Sequence, residues 1–403
     1  MPIETLTNSQ PVAAFQFAST PEIHFGWGVR QKLLEQLQQQ RHTNPVLIVS
    51  PSQLKDNRFG LALQQALQDM PLQTFSVSGE PSPDLVDEIV AQCHRTTSIV
   101  IGLGGGSVLD TAKAVAGLIP SQTSVMDYLE GVGKGKAFRV ETTDFIAIPT
   151  TAGTGSETTK NAVLSRLGEF KKSFRDNKLL AKQAWLDPEL LTTCPQDILY
   201  ATGMDAFTQL LESYTTLKPN PITDALAWQG MQLFRTAFDD IDSNDSNLMQ
   251  RGYGNLMLAA CLSGLTLANA GLGAVHGLAG PIGAFFKAPH GIVCARLLAP
   301  ITRANIHALV QKNDNHSLRV LDKYRDVALL LCPHSDSQDS LTQLINYLTK
   351  LADDYAPSGL QDFGLTAANI EPVIENCRSG SMLGNPLVLD DMALRQALLE
   401  AIG

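Results

Sequence analysis

The chain has no CxxC pair, no GxGxxG run, no excess of basic residues and no apolar run of roughly eighteen residues, the length a membrane span requires. Each absence argues against a class of protein. With 30 Lys and Arg against 40 Asp and Glu, the net charge is −10, and no basic face is available to displace counterions from phosphates. Nucleic acid and anionic membrane surfaces are therefore not expected as partners. The six cysteines (Cys93, Cys194, Cys261, Cys294, Cys332, Cys377) are scattered through mostly apolar helical patterns. They read as reduced core thiols of a cytoplasmic protein, not as a disulfide frame. The start, Met1-Pro2-Ile3-Glu4-Thr5-Leu6, lacks both a basic stretch and a long apolar one, so no secretory signal is expected.

What remains is the composition of a soluble globular enzyme: 403 residues, 44% apolar and 17% charged, enough for about two domains with large cores. The first half alternates short β-branched runs with helical patterns. Val46–Val49, Gln73–Val77, Ser98–Ile101 and Phe145–Ile148 read as strands; Arg58–Met70, Pro83–Thr96 and Val108–Leu118 read as helices. That alternation implies a parallel sheet with crossover helices. An early alternating pair, Phe15–Phe17 and Glu22–Phe25, suggests antiparallel edge strands. From about Gln196, helical periodicity takes over. Helices are expected over Asp197–Thr215, Ile222–Ile241, Asn247–Ala268, Val275–Phe286, Ile292–Leu309, Leu318–Leu331, Ser340–Tyr355, Ala367–Cys377 and Asp391–Ile402. Lys312–His316 and Ser335–Ser340 read as solvated loops. The expected architecture is an α/β dinucleotide-binding domain with a Rossmann-like parallel sheet over residues 1–192, followed by an all-α metal and substrate domain over residues 193–403.

Two loops stand at strand ends. Gly104-Gly105-Gly106-Ser107 joins the strand Ser98–Ile101 to the next helix. Glycines let a backbone approach phosphate closely, and a helix N-terminus offers free N–H groups and a positive dipole end. Ser107 is a candidate cap. The plainer reading is a tight turn, but its place at the carboxyl end of a parallel strand favours a cofactor. The second loop, Pro149 to Thr159, gathers six hydroxyls and two glycines. Such donors suit a pyrophosphate or a nicotinamide amide; an ordinary polar turn is the bland alternative.

Asp205 and Gln209 lie four apart on one helix face, and His276 and His290 follow, fourteen apart. An Asp and two His with an open position meet the minimum for a catalytic divalent metal, and Gln209 adds a weak carbonyl oxygen. Taken singly, a buried His is more often a satisfied core residue and a Gln an interhelix hydrogen bonder. His24, His42, His94, His307, His316 and His334 sit in polar contexts and are assigned nothing.

Several long segments, in order, resemble the iron-dependent (group III) alcohol dehydrogenases. Gly104 to Lys113 is similar to that family's GGGSxxDxAK segment, Pro149 to Glu157 to its second signature, and Gly203-Met204-Asp205-Ala206 and Ala288-Pro289-His290-Gly291 to its metal segments. The resemblance implies a dehydroquinate synthase-like fold, a dimer or larger homo-oligomer, and a metal cleft between the domains. It implies Gly104, Gly105, Gly106, Ser107 and Asp110 at the cofactor pyrophosphate. It places Thr150, Thr151 and Thr154 at the nicotinamide and phosphates, with Asn161 and Lys172 nearby, and Asp205, His276 and His290 on the metal. Two positions depart from the family. Gln209 stands where His is usual, which should weaken the metal or shift preference away from iron. Gly280 stands where a His usually follows His276 by one turn, which removes a proton relay and opens room beside the substrate. No catalytic proton donor is assigned. Related folds manage with three protein ligands, so a divalent metal (Fe, Zn or Mn) remains expected.

After the strand Val46–Val49, where the family meets the adenosine ribose, the chain reads Ser50-Pro51-Ser52 with Lys55 near. No carboxylate stands there to repel a 2′-phosphate, so NADP as well as NAD is expected. The implied reaction is hydride transfer between nicotinamide and a small alcohol or aldehyde. The alternatives are a metal-independent reductase of the maleylacetate reductase type, a phosphorylated-polyol or lyase enzyme, which would need more cleft cations than Lys287, and a nucleotide-binding regulator without turnover.

Overall fold

The computed structural model describes residues 12–55, 58–333 and 340–403. The leader reading at Met1–Leu6, His334 and most of the loop reading at Ser335–Ser340 lie outside the described residues. The N-terminal half runs β1 (Glu22–Phe25), α1 (Arg30–Gln39), β2 (Val46–Val49), α2 (Phe59–Ala66), β3 (Gln73–Ser76), α3 (Pro83–Gln92), β4 (Ile99–Gly104), α4 (Gly106–Leu118), β5 (Asp144–Pro149), β6 (Asn161–Arg166), β7 (Phe170–Arg175) and β8 (Gln183–Leu186). Six of these strands form one sheet in the order β1-β8-β5-β4-β2-β3, parallel throughout. Alternate residues feed two cores. Val46, Ile48 and Val100 pack on one face, Leu47, Val49, Ile99 and Ile101 on the other. Both faces are covered, as a parallel sheet requires.

The helical half runs α5 (Gln196–Thr215), α6 (Pro221–Phe234), α7 (Ala237–Ile241), α8 (Ser246–Ala270), α9 (Ala274–Phe285), α10 (His290–Lys312), α11 (Asn315–Leu331), α12 (Ser340–Tyr355), α13 (Glu371–Asn376) and α14 (Asp391–Ile402). It encloses one continuous core. Among the described residues no single helix is long and apolar enough to cross a membrane.

Four expectations are corrected. Glu22–Phe25 is not half of an antiparallel pair: it lies parallel to β8 at the sheet edge, and residues 15–17 are in no strand. The alternation does not mark a buried face: Ile23 and Phe25 are exposed, and the half-buried residue is His24, stacked on Trp185 at 3.8 Å. The hairpin β6–β7 was not expected, because Lys171, Lys172 and Arg175 mask the alternation of β7; Ala162 and Leu164 of β6 and Phe170 and Phe174 of β7 are buried. Ile222–Ile241 is broken into α6 and α7, and Ala367–Cys377 shrinks to α13 because Pro372 is tolerated only in a first turn. Lys312–His316 is no loop but a joint between α10 and α11, with Asn313 left-handed at φ 48° and Asp314 capping α11 through Ser317 N–H.

Candidate active site

Adjacent strands β4 and β5 end level, with Gly104 opposite Pro149, so their loops emerge side by side. Thr150 N–H donates to the Gly104 carbonyl at 3.0 Å. The glycines permit the approach: a Cβ on Gly106 would stand 2.7 Å from Thr154 Cγ2, and one on Gly105 3.2 Å from Thr151 Oγ1. Gly105 is the residue before the first turn of α4 and no side chain caps the helix, so Ser107 is inside the first turn and does not serve as its cap. The amides of Gly106 and Ser107 precede those of Val108 and Leu109, which fold back onto the Gly105 carbonyl. An anion at this helix start would meet free N–H groups.

Beneath the loops lies a charged knot centred on the buried Lys113. Lys113, fully buried, reaches from α4 to the Ser156 carbonyl (2.8 Å), Ser156 Oγ (3.0 Å), Thr159 Oγ1 (3.1 Å) and the Asn161 carbonyl (2.8 Å). Asp110 accepts from Ser156 Oγ–H and from Val163 N–H. Its two oxygens are thus engaged in fastening the second loop and β6 to α4. Burial pushes the Glu157 carboxyl up to about 7, with Lys113 opposing.

The second loop is also fixed to the helical half. Thr158 Oγ–H donates to the Cys261 carbonyl at 3.3 Å. Gly155, at φ +59°, meets Gly264 of α8 so closely that a Cβ on Gly264 would lie 2.3 Å from the Gly155 carbonyl oxygen. The hairpin adds a bridge, Gly168 N–H donating to the Ala284 carbonyl of α9, while Lys171 ties the hairpin back to Glu80 of the N-terminal half at 2.9 Å. Asn161 and Lys172 sit on this hairpin, Lys172 opposite Leu164.

Across from the loops, α5, α9 and α10 bring four side chains together. One ligand atom from each of Asp205, His276, His290 and Cys294 lies within 4.8 Å of every other. His276 Nε2 is 3.1 Å from Asp205 Oδ1, and His290 Nε2 is 3.7 Å from the same oxygen. His276 Nδ1 lies 2.7 Å from Glu212 Oε2, while Glu212 Oε1 accepts from Val275 N–H at 2.7 Å. A carboxylate only accepts, so Nδ1 carries the proton. In the neutral ring Nε2 then presents a lone pair to the Asp205 oxygen. Two acceptors at that distance require a cation between them, a proton or a metal.

Charge reflects the same conflict. Burial pushes the Asp205 carboxyl up, but the His290 and His276 imidazoles and the Cys294 thiol outweigh it and hold it at about 2. Burial lowers His290 to about 4, against Asp205. Burial opposes protonation of His276 too, yet the Cys294 sulfur, Asp205 and Glu212 raise it well above the usual imidazole range. The donor set, one carboxylate, two imidazoles and a thiol, is that of a divalent transition-metal site.

Gln209 is buried one turn after Asp205, and its amide oxygen accepts from Ser263 Oγ–H at 2.9 Å. Cys294 and Glu212 were missed by the sequence reading. Cys294 follows His290 by four residues on α10, the same i, i+4 spacing that singled out Asp205 and Gln209. Glu212 had no local signal, since its partners lie 63 and 64 residues away.

Family models match both halves of the chain: iron-containing alcohol dehydrogenase over residues 20–188, and the Fe-containing alcohol dehydrogenase family, C-terminal, over residues 199–395. The chain belongs to the iron-containing alcohol dehydrogenases. It is 26% identical over 377 residues to alcohol dehydrogenase 4 of Saccharomyces cerevisiae, covering 92% of this chain and 94% of the relative. It is 33% identical over 285 residues to long-chain-alcohol dehydrogenase 1 of Geobacillus thermodenitrificans, covering 69% and 70%. It superposes on a crystal structure of 1,3-propanediol oxidoreductase with a TM-score of 0.83 at 26% identity, over 96% of this chain and all of that one (100%). As an iron-containing alcohol dehydrogenase, the protein is an alcohol-oxidising oxidoreductase.

In this member of the family Glu212 ties the first turn of α9 to the His276 ring. Glu212→Gln keeps one acceptor and loses the other. Divalent-metal affinity is expected to fall ~10–100-fold, with the helical fold retained. Competition against a chromophoric chelator reads it; an unchanged affinity would remove Glu212 from this part.

Proposed function

We propose that the protein transfers a hydride between the nicotinamide of NAD or NADP and a small alcohol or aldehyde, with a divalent metal (Fe, Zn or Mn) held by Asp205, His276 and His290. The observation that carries this reading is the convergence of those three ligand atoms within 4.8 Å. When bound, such an ion supplies a Lewis acid for the alcohol or carbonyl oxygen, and the nicotinamide supplies the redox chemistry. Asp205 brings the negative charge, and Glu212 sets the tautomer and angle of His276.

The cofactor reading rests on the two loops. Gly104 to Ser107 and the start of α4 suit the pyrophosphate; Thr150, Thr151 and Thr154 are the hydroxyls for phosphates and nicotinamide, with Asn161 and Lys172 beside them. Asp110 and Lys113 keep that surface in place. At the end of β2, Ser50 N–H donates to the Leu103 carbonyl, which sets Ser50 and Ser52 next to the glycine loop. Their exposed hydroxyls, 3.3 Å apart, and the exposed Lys55 favour a 2′-phosphate as well as a 2′-hydroxyl. Named relatives act on 1-propanol and 4-hydroxybutyrate, which supports a small primary alcohol. A Cβ on Gly280 would meet nothing within 4 Å, so this residue leaves space one turn from His276. A cytoplasmic homodimer or larger homo-oligomer completes the reading.

Elemental analysis of protein purified without added metal, then chelation and add-back of each metal, tests the first half. A panel of aldehydes with NADH and NADPH tests the second. Activity that disappears with the metal and returns with it is expected, with both cofactors used. Full activity in metal-free protein would favour the metal-independent reductase. No oxidation of either cofactor with any aldehyde would leave a nucleotide-binding protein without turnover.

A further inference from the structure

We infer that Cys294 is a fourth protein ligand of the metal, taking the place that Gln209 leaves unfilled, and that the site therefore prefers thiophilic ions such as zinc and cobalt over manganese. This rests on the metal reading above and deepens it.

The geometry is that of ligands around one centre. Cys294 Sγ lies 3.7 Å from His276 Nε2 and 3.7 Å from His290 Nε2. With metal–nitrogen bonds of about 2.0–2.1 Å and metal–sulfur bonds of about 2.3 Å, neighbouring ligands of a four-coordinate ion stand roughly 3.3–3.6 Å apart, and such an ion takes the substrate oxygen by expanding to five-coordinate. The two sulfur–nitrogen edges and the 3.1 and 3.7 Å nitrogen–oxygen edges cluster about that range. A single S–H cannot serve both imidazole nitrogens as a hydrogen-bond donor at once; a shared ion serves all four groups. The residues also come from rigid elements. His290 and Cys294 are one turn apart on α10, as Asp205 and Gln209 are on α5.

Gln209 is the weaker competitor. Its amide oxygen already lies 2.9 Å from Ser263 Oγ, and a neutral amide oxygen is a poorer ligand than a thiolate. Charge favours the thiolate as well. On binding, the Cys294 S–H bond breaks, a sulfur–metal bond forms, and the proton leaves to solvent. The ion's two positive charges are then matched by the Asp205 carboxylate and the Cys294 thiolate, which suits a buried site. Soft sulfur selects zinc or cobalt over manganese, whose preferred partners are oxygens.

The test uses the full-length protein, stripped and reloaded with Co(II), and reads absorption, not turnover. A thiolate-to-cobalt charge-transfer band in the near ultraviolet is expected in the wild type and absent in Cys294→Ser. Cys294→Ser and Cys294→Ala are expected to lose at least ~10-fold in zinc affinity, measured by chelator competition, with a smaller loss for manganese. Asp205→Asn separates the two levels. If the wild type binds no metal at all, the underlying reading fails. If it binds cobalt through Asp205 but shows no thiolate band, the Cys294 assignment is overturned, and this outcome needs no variant to fold. Equal zinc affinity in wild type and both Cys294 variants overturns it too.

Discussion

Asp205→Asn is expected to abolish tight metal binding and to lower kcat/KM by ~10³-fold or more, the scale at which a Lewis acid stabilises a developing alkoxide. The substitution keeps volume and removes only charge. Asp205 is 2% exposed, so no water replaces the lost carboxylate. His276 Nε2 and His290 Nε2 both face that oxygen, at 3.1 and 3.7 Å, and an amide there offers a divalent ion no counter-charge. In the metal-free protein the same carboxyl is held at about 2, below its ordinary value of 3.8. A depressed folded-state value contributes stability above the ordinary one, and that contribution is lost as pH falls through about 2. The Asn variant should lack this acid sensitivity. Steady-state kinetics with elemental analysis decide the matter: a variant with full metal and kcat/KM within ~10-fold of wild type would end the assignment of Asp205 as a ligand.

Lys113→Met is expected to cost ~3–5 kcal/mol of stability and to raise KM for the dinucleotide, although Lys113 need touch no part of it. The Met fills the volume but leaves the Ser156 and Asn161 carbonyls without the donor that reached both at 2.8 Å. It also removes the buried ammonium that opposes the charge of Glu157 and of the part-buried Asp110. Burial lowers the Lys113 ammonium and raises Asp110, each opposing the other, so the pair is worth keeping only together. Breaking one side of such a pair is the costly case. The loosened segment is Thr150 to Thr159, which is why cofactor KM should move with stability. Urea unfolding and a KM measurement test both; a loss under ~1 kcal/mol with unchanged KM would show the knot to be dispensable.

Much of the fold was readable because its signals are local. Val46–Val49 and Ile99–Gly104 are short, β-branched and buried on both faces, and only a parallel sheet covered by helices accommodates such runs. α12 and α14 appear at the expected residues, Ser340–Tyr355 and Asp391–Ile402. The hairpin β6–β7 was hidden because β7 carries Lys171, Lys172 and Arg175 between its two phenylalanines and beyond them, and the turn carries the exposed Leu167. Ser107 looked like a cap, but the turn tightens at Gly105, since Thr151 and Thr154 of the neighbouring loop press there.

Asp205, His276, His290 and the glycine and threonine loops could be picked out as candidates from local spacing and strand ends, and the family resemblance in their order gave them roles, since helical faces, strand ends and short motifs are local properties. Cys294 shared a helix face with His290 four residues before it, but that it also stands beside His276, and which of many glutamates turns His276, could not be found that way. Glu212 on α5 meets His276 on α9 across 64 residues, and Cys294 on α10 meets His276 across 18, so both pairings exist only when the helices pack. Packing sets distances between side chains that the chain itself keeps far apart, and ligation depends on distance to a few tenths of an ångström.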